Sequence, residues 1–392
     1  KGEDNQNNTG FLSDFFKKYS VWLIKHKTKV YGATIIIILI FLGGMTRVWV
    51  NSSFIDKFDK SSTIVKTDRF INEHFSGTSS LNVVLEAEAE NTFKTPEVLT
   101  KIDQMQNELE SADIVGGTFS IADFLKRMNK VMHSDNEEFN RIPEGYNMLS
   151  QYLLLYEMSA DPENLLKFVD YNYSKINVVV KLKGDSTKDF KKAISIVEKY
   201  KEYFKKNNIT VNYAGSGYKS IVFTDLIFYG QIISLGLAIL LIFFLITVMF
   251  KSVLIGLIGS IPVSIAIIIN FGMMGMLKIP LNNTTALLSS IAIGIGIDYA
   301  IHLIQRYKIY SKQGHEKMKV LEMTLAHSGK AVLMNSIVVV GGFIVLAFSK
   351  FPRTRALGAL VSINMLTTFF ATITVMLVIL HSKNLFSVKE KK

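Results

Sequence analysis

No cysteine occurs among the 392 residues. Disulfides, thiol nucleophiles and Cys-ligated metals are therefore excluded, while the redox compartment is left open. Charge is scarce too, at 20% of residues against 49% hydrophobic residues and 27 Phe. That is too apolar for two or three soluble domains. A phosphate loop of the Walker type is missing. The glycine pairs Gly43-Gly44 and Gly341-Gly342 lie inside apolar stretches and lack a following Lys-Ser/Thr, so energy for any work must come from an ion gradient or a partner subunit. The seven histidines form no His-x-x-x-His metal pair.

What is present is apolar length. Six stretches, 30–50, 226–249, 253–275, 284–305, 331–349 and 357–380, each offer the roughly 20 residues that cross a hydrocarbon core of about 30 Å. The first is too long for a signal peptide and has no small-residue cleavage site behind it. Ahead of it, the leader 1–29 is polar and Asn-rich over 1–10. Phe11, Leu12, Phe15, Phe16, Tyr19, Trp22 and Leu23 then recur at helical spacing among lysines, the pattern of an interfacial amphipathic helix; the plainer alternative is a packed helix of a soluble subdomain.

The 51–225 segment reads as one extramembrane α+β domain. Residues 81–86 alternate as a strand; Thr95-Pro96-Glu97 opens a helix to about 109; a strand over 114–119 precedes a helix over 121–131 capped by Ser120 and Asp123. After a helical insertion over 146–158 the pattern repeats, with a strand over 176–182, a helix over 187–206 and a strand over 209–213. Two strand–helix–strand units predict a split α+β sandwich. Gly215-Ser216-Gly217 then marks the return to the membrane.

Subtracting 33 acidic from 44 basic residues leaves +11, a balance that in a soluble protein would suggest nucleic acid. Its distribution says otherwise. Basic residues crowd the leader, the 250–252 turn, the 306–330 loop and the 381–392 tail, whereas the short loops opposite carry only Lys278, Lys350, Arg353 and Arg355. The positive-inside rule makes the first set cytoplasmic, puts the large domain on the periplasmic or extracellular side of a cytoplasmic (inner) membrane, and leaves no call for a nucleic-acid partner.

Acid is almost absent from the spans, and the exception is Asp298 in the fourth. It lies eight residues before Arg306, about 12 Å along the helix at 1.5 Å per residue. A carboxylate at such depth costs about 2.5–3.5 kcal/mol on the insertion scale, so its default reading is an ion or proton path; the competing reading is a structural acid held by a neighbouring helix. Gly294, Gly296 and Ala292 form a narrow helix surface around it, and Tyr299 stands beside it with a hydroxyl to donate. His302, one turn nearer the cytoplasm, is readable as a proton-passing group or as an interfacial hydrogen-bonder. Depth matching nominates Asn335, Ser336, Thr372 and Thr374 as relay partners on other spans, with Asn270 and Asn364 nearer the opposite face as packing polars.

Gly294-Ile-Gly-Ile-Asp298-Tyr299-Ala-Ile-His302 followed by Arg306, Gly341-Gly342-Phe343 leading to Phe351-Pro352 and Gly358, the stretch Asn72-Glu-His-Phe-Ser-Gly77 and the helix Phe124-Leu-Lys-Arg-Met-Asn129 together resemble the MmpL-like exporter branch of the resistance-nodulation-division superfamily. The resemblance covers nearly the whole chain. It implies six transmembrane helices with a porter-like domain between the first and second. It also implies a proton relay at Asp298 and Tyr299 with His302 as a branch feature, close packing at Gly294, Gly296, Gly341 and Gly342, protons as the coupling ion, and no other cofactor. The activity implied is secondary active export, not enzymatic catalysis, of lipids or other hydrophobic molecules, with a periplasmic lipid carrier among the partners. Such families carry two repeats, so a second six-helix repeat is expected from the same polypeptide, a sister chain or a homodimer. The missing initiator Met and linker-like start suggest the second half of a longer chain. One departure is Val378-Ile379-Leu380-His381, where the family usually has a proline. Two other classes share the plan: a SecD/SecF-like protein-translocation accessory and a Patched-type sterol or lipid sensor.

Overall fold

The computed structural model describes residues 11–159, 162–383 and 386. The expected polar leader 1–10 and all but Phe386 of the tail beyond 383 lie outside the described residues. The chain divides into two compact units, one of which is Asn51–Leu226.

In Asn51–Leu226, four strands, β1 (Ser79–Ala87), β2 (Val115–Phe119), β3 (Lys175–Leu182) and β4 (Ile209–Ala214), form one sheet of order β2-β3-β1-β4 with antiparallel neighbours throughout. This is the split arrangement that two strand–helix–strand units produce, since each crossover leaves room for a strand of the other. Alternation sets the buried face: Leu81, Val83 and Leu85 are fully buried, and across the register Val180, Val178 and Ile176 meet them. Two helices cover that face. Pro96–Glu110 contributes Leu99, Ile102, Met105 and Leu109, and Thr187–Glu198 contributes Phe190, Ala193 and Val197. The helix expected over 187–206 is two helices, because the chain breaks at Lys199-Tyr200 before Lys201–Lys206. Truncating Leu99 to Ala removes a fully buried side chain facing the sheet. The expected cost is about 2–5 kcal/mol, read as faster hydrogen exchange of the β1 amides; unchanged exchange would contradict this core assignment.

Two sequence signatures of this unit have local physical causes. Ser120 and Asp123 form a reciprocal capping box, and Gln106 from the covering helix joins it, donating to Asp123 at 2.7 Å and accepting from Ser120 Oγ at 2.7 Å. In the Asn72–Gly77 stretch, Asn72 Oδ1 accepts from the Thr78 amide at 2.9 Å while its amide donates to Asp68 at 2.9 Å. Gly77, at φ +111°, then turns the chain where a Cβ would run into the Leu182 carbonyl.

The other unit is helical. Among the described residues, Lys27–Met45, Gly215–Phe250, Val253–Met276, Lys317–Phe348 and Pro352–Lys383 are long and apolar enough to cross a membrane. The fourth predicted span, 284–305, lies within the 30-residue helix Asn283–Lys312.

Two expectations are corrected. Gly215-Ser216-Gly217 is not a break but the first turn of a 36-residue helix, and Gly217 is a glycine because the Phe190 ring occupies the space of a Cβ. The 306–330 loop is mostly helix: Asn283–Lys312 continues through Arg306, and a helix resumes at Lys317. Two π-turns interrupt the helices of the last two spans: Leu325–Gly329 just ahead of the fifth and Thr372–Met376 inside the sixth.

The leader helix Phe11–Lys25 buries Phe16 and Leu23 and leaves Phe11, Phe15 and Trp22 exposed. Phe16 sits beside Gly329 of the first π-turn, so this helix is packed on one face while its aromatic face stays open.

Small residues set the closest helix crossing. Lys27–Met45 lies against Val253–Met276 where Gly44, Gly272 and Gly275 meet: a Cβ on Gly44 would stand 2.5 Å from the Gly272 carbonyl oxygen, and one on Gly272 would stand 2.6 Å from Phe41 Cβ. Leu281 N donates to Trp49 O at 2.8 Å near the same end. The next residue, Asn282, caps the Asp298 helix, accepting from the Thr284 and Thr285 amides while Thr285 Oγ1 accepts from Asn282 N at 2.8 Å.

Candidate functional site

The capped helix Asn283–Lys312 presents different chemistry on different faces. Leu287, Ile291, Gly294, Asp298, His302 and Arg306 are all exposed and follow at steps of three or four residues, which places them on one stripe. Among the described residues nothing hydrogen-bonds or pairs with the Asp298 carboxylate. Gly294 likewise has open space where a Cβ would be, whereas Gly296, on the far side, packs on Thr368, whose Cγ2 would lie 3.0 Å from such a Cβ.

One residue on from Asp298, and so about 100° around the helix, Tyr299 is fully buried. It faces Ser336 of the helix Lys330–Ile344, which is equally buried. The two hydroxyls are neighbours but miss hydrogen-bond geometry, and each is left without a partner. Unpaired buried hydroxyls are costly, at about 1–3 kcal/mol each, and mark places where a proton, water or ligand group belongs.

A pocket of about 240 Å³ opens between these helices, walled by Tyr299, His302, Arg306, His327, Ser328, Ala331, Val332 and Asn335. Of the residues singled out from sequence, Tyr299, His302 and Asn335 thus share one pocket, with Ser336 beside it. Thr372 and Thr374 do not join them there. Thr372 is buried and donates to the Thr368 carbonyl at 2.6 Å, and Thr374 is half-buried and donates to the Phe370 carbonyl. Gly341 and Gly342 have nothing within contact of a Cβ; in that region Gly358 makes the close approach, 2.6 Å from the Phe343 carbonyl oxygen. Asn270 and Asn364 are each 3% exposed, and Asn270 Oδ1 has no partner.

His327 and Ser328 were not singled out as site residues. The signal available was the spacing Ser328, Val332, Asn335, which is one helical stripe; it was obscured because 306–330 read as a loop.

In the Asn51–Leu226 unit a second cavity, about 510 Å³, is lined in part by Phe54, Phe190 and Phe223 with Asp68, Asp185 and Lys219. Its two carboxylates are occupied locally: Asp185 accepts from Ser53 Oγ and the Phe54 and Ile55 amides, and Asp68 from Asn72 and Thr78. Lys219 has no ion pair among the described residues.

Several long apolar helices, joined to a split α+β unit, define a multi-pass membrane protein. The chain belongs to the MMPL family, whose model matches residues 57–391, and with it to the resistance-nodulation-division type of membrane transporter. It is 24% identical over 331 residues to the membrane protein MJ1562 of Methanocaldococcus jannaschii, which covers 83% of this chain and 82% of that one. It is 27% identical over 95 residues to the sulfolipid-1 exporter MmpL8 of Mycobacterium tuberculosis, covering 24% of this chain but 9% of the exporter. Membrane protein YdgH of Bacillus subtilis is 27% identical over 148 residues, 36% of this chain and 17% of its own length.

Proposed function

We propose that this protein is a proton-driven exporter of lipids or other amphiphiles, with Asp298 as the group that takes up and releases the coupling proton. The observation that carries the reading is Asp298 itself, a lone carboxylate in the apolar spans, lying on an open helix face. A proton moving down about 100 mV delivers about 2.3 kcal/mol. Protonation removes the charge that opposes burial of the Asp298 face, so the two protonation states favour different packings of that helix against a partner. Tyr299 and the His302 pocket supply the route to one side. The part of the open stripe from Leu287 to Asp298 is covered, in this reading, by a second six-helix repeat. The membrane is the cytoplasmic one, with the Asn51–Leu226 domain outside.

Substrate is taken up by the Asn51–Leu226 domain. Its larger cavity offers phenyl rings to apolar chains and the Lys219 ammonium to a head group; the sulfolipid named for MmpL8 is an amphiphile of this general kind. Lys219→Glu is expected to raise the KM for an acidic amphiphile about tenfold and leave a neutral one unaffected; equal effects on both would remove Lys219 from the head-group role.

The coupling is tested in proteoliposomes with an imposed pH gradient. Amphiphile movement should follow the gradient and stop when a protonophore collapses it. Movement that persists undiminished after collapse would sink the proton-driven reading.

A further inference from the structure

The pocket beside Tyr299 gathers more basic side chains than a proton path requires. Arg306, His302 and His327 converge on it from two helices, Ser328 and Asn335 add polar groups, and no carboxylate lines it. Arg306 has no ion pair among the described residues. A guanidinium near the end of a membrane helix is stable there when an anion meets its planar fork, and phosphate is the anion that the fork matches in two parallel hydrogen bonds. Basic pockets between helices at the headgroup level recognise lipid phosphates in this way. At the inner end the Tyr299 hydroxyl, fully buried and unpartnered, is a second sign that the pocket is shaped for a guest with acceptor atoms.

We infer that this pocket binds a phosphate group, supplied by the headgroup of an anionic lipid in the leaflet at that end of the helices. Arg306 takes the phosphate in bidentate fashion, His327 and Ser328 close on it from the facing helix, and the pocket volume of about 240 Å³ holds a headgroup but not the acyl chains. A headgroup seated there stands between solvent and Tyr299. Given the proton route proposed above, lipid composition then regulates transport by opening or stopping that route.

The test uses the full-length protein, delipidated and reconstituted in nanodiscs of neutral lipid. Phosphatidic acid is titrated against diacylglycerol of the same chains, which lacks only the phosphate, and inorganic phosphate is added as competitor. Phosphatidic acid should bind and diacylglycerol should not. Arg306→Gln should weaken binding at least tenfold and His327→Gln by a smaller factor, while Asp298→Asn should leave it unchanged. If Arg306→Gln does not fold, the His327→Gln, Ser328→Ala double variant tests the same site from the other helix. Inorganic phosphate that displaces the lipid at equal concentration supports the phosphate site with the free anion as its source; failure to displace it supports the headgroup. Equal binding of diacylglycerol, or variants that bind phosphatidic acid as the wild type does, would overturn the inference. Because the readout is binding, its failure is separable from a failure of the Asp298 relay, which is read as transport.

Discussion

Asp298→Asn protein is expected to fold and insert as well as the wild type while its gradient-driven transport falls to the leak of protein-free vesicles. Asparagine keeps the shape and much of the polarity of the side chain but cannot accept and release a proton near neutral pH. Folding should not suffer. The carboxylate makes no hydrogen bond or ion pair among the described residues and sits on an exposed face, and placing an acid at this depth costs about 2.5–3.5 kcal/mol that an amide mostly avoids. Asp298→Glu retains a titratable group about one bond further out and should keep part of the flux. Proton flux is read with a pH dye trapped in the vesicles, and folding by thermal unfolding of the same sample. Wild-type flux in correctly folded Asp298→Asn protein would remove the residue from the coupling mechanism.

A single methyl-bearing branch at Gly272 should do the reverse, destroying the fold without touching the relay. The Cβ of Gly272→Val would meet Phe41 at 2.6 Å from its Cβ and press on its backbone carbonyl. Backbone of a packed helix cannot turn aside as a flexible side chain can, so the two helices must separate along Gly44, Gly272 and Gly275. Overpacking of this kind costs about 3 kcal/mol, and in a bilayer no compensating hydrophobic drive holds helices together. The expected result is a large fall in monodisperse yield and in Tm. Gly43→Val is the matched control, since a Cβ on Gly43 meets nothing within 4 Å; it should behave as the wild type. Equal damage from both variants would mean that helix propensity, not the crossing, sets the effect.

These two positions also mark how far the sequence could be read. What depends on local spacing was legible. Alternation at Leu81, Val83 and Leu85 located β1, the Ser120 and Asp123 pair located a helix start, and the order of elements led to the split sheet. Asp298 stood out because an acid in an apolar run is conspicuous whatever surrounds it. What depends on partners was not legible. Gly294 and Gly296 look alike in sequence, yet one faces open space and the other Thr368. The glycines that set the tightest crossing, Gly44, Gly272 and Gly275, lie on helices separated by more than two hundred residues and carry no local mark of their meeting. Basic residues from Arg306 to Lys330 suggested a loop because charge usually leaves the membrane, whereas here it rides on helices and brings His327 and Ser328 into the pocket with Arg306.

The central claim is that Asp298 gains and loses a proton during the cycle, and infrared difference spectroscopy of the reconstituted protein measures this directly. Difference spectra taken with and without an imposed proton gradient should show a protonated carboxyl band in the wild type that is missing from Asp298→Asn. Identical difference spectra for the two proteins would contradict the account.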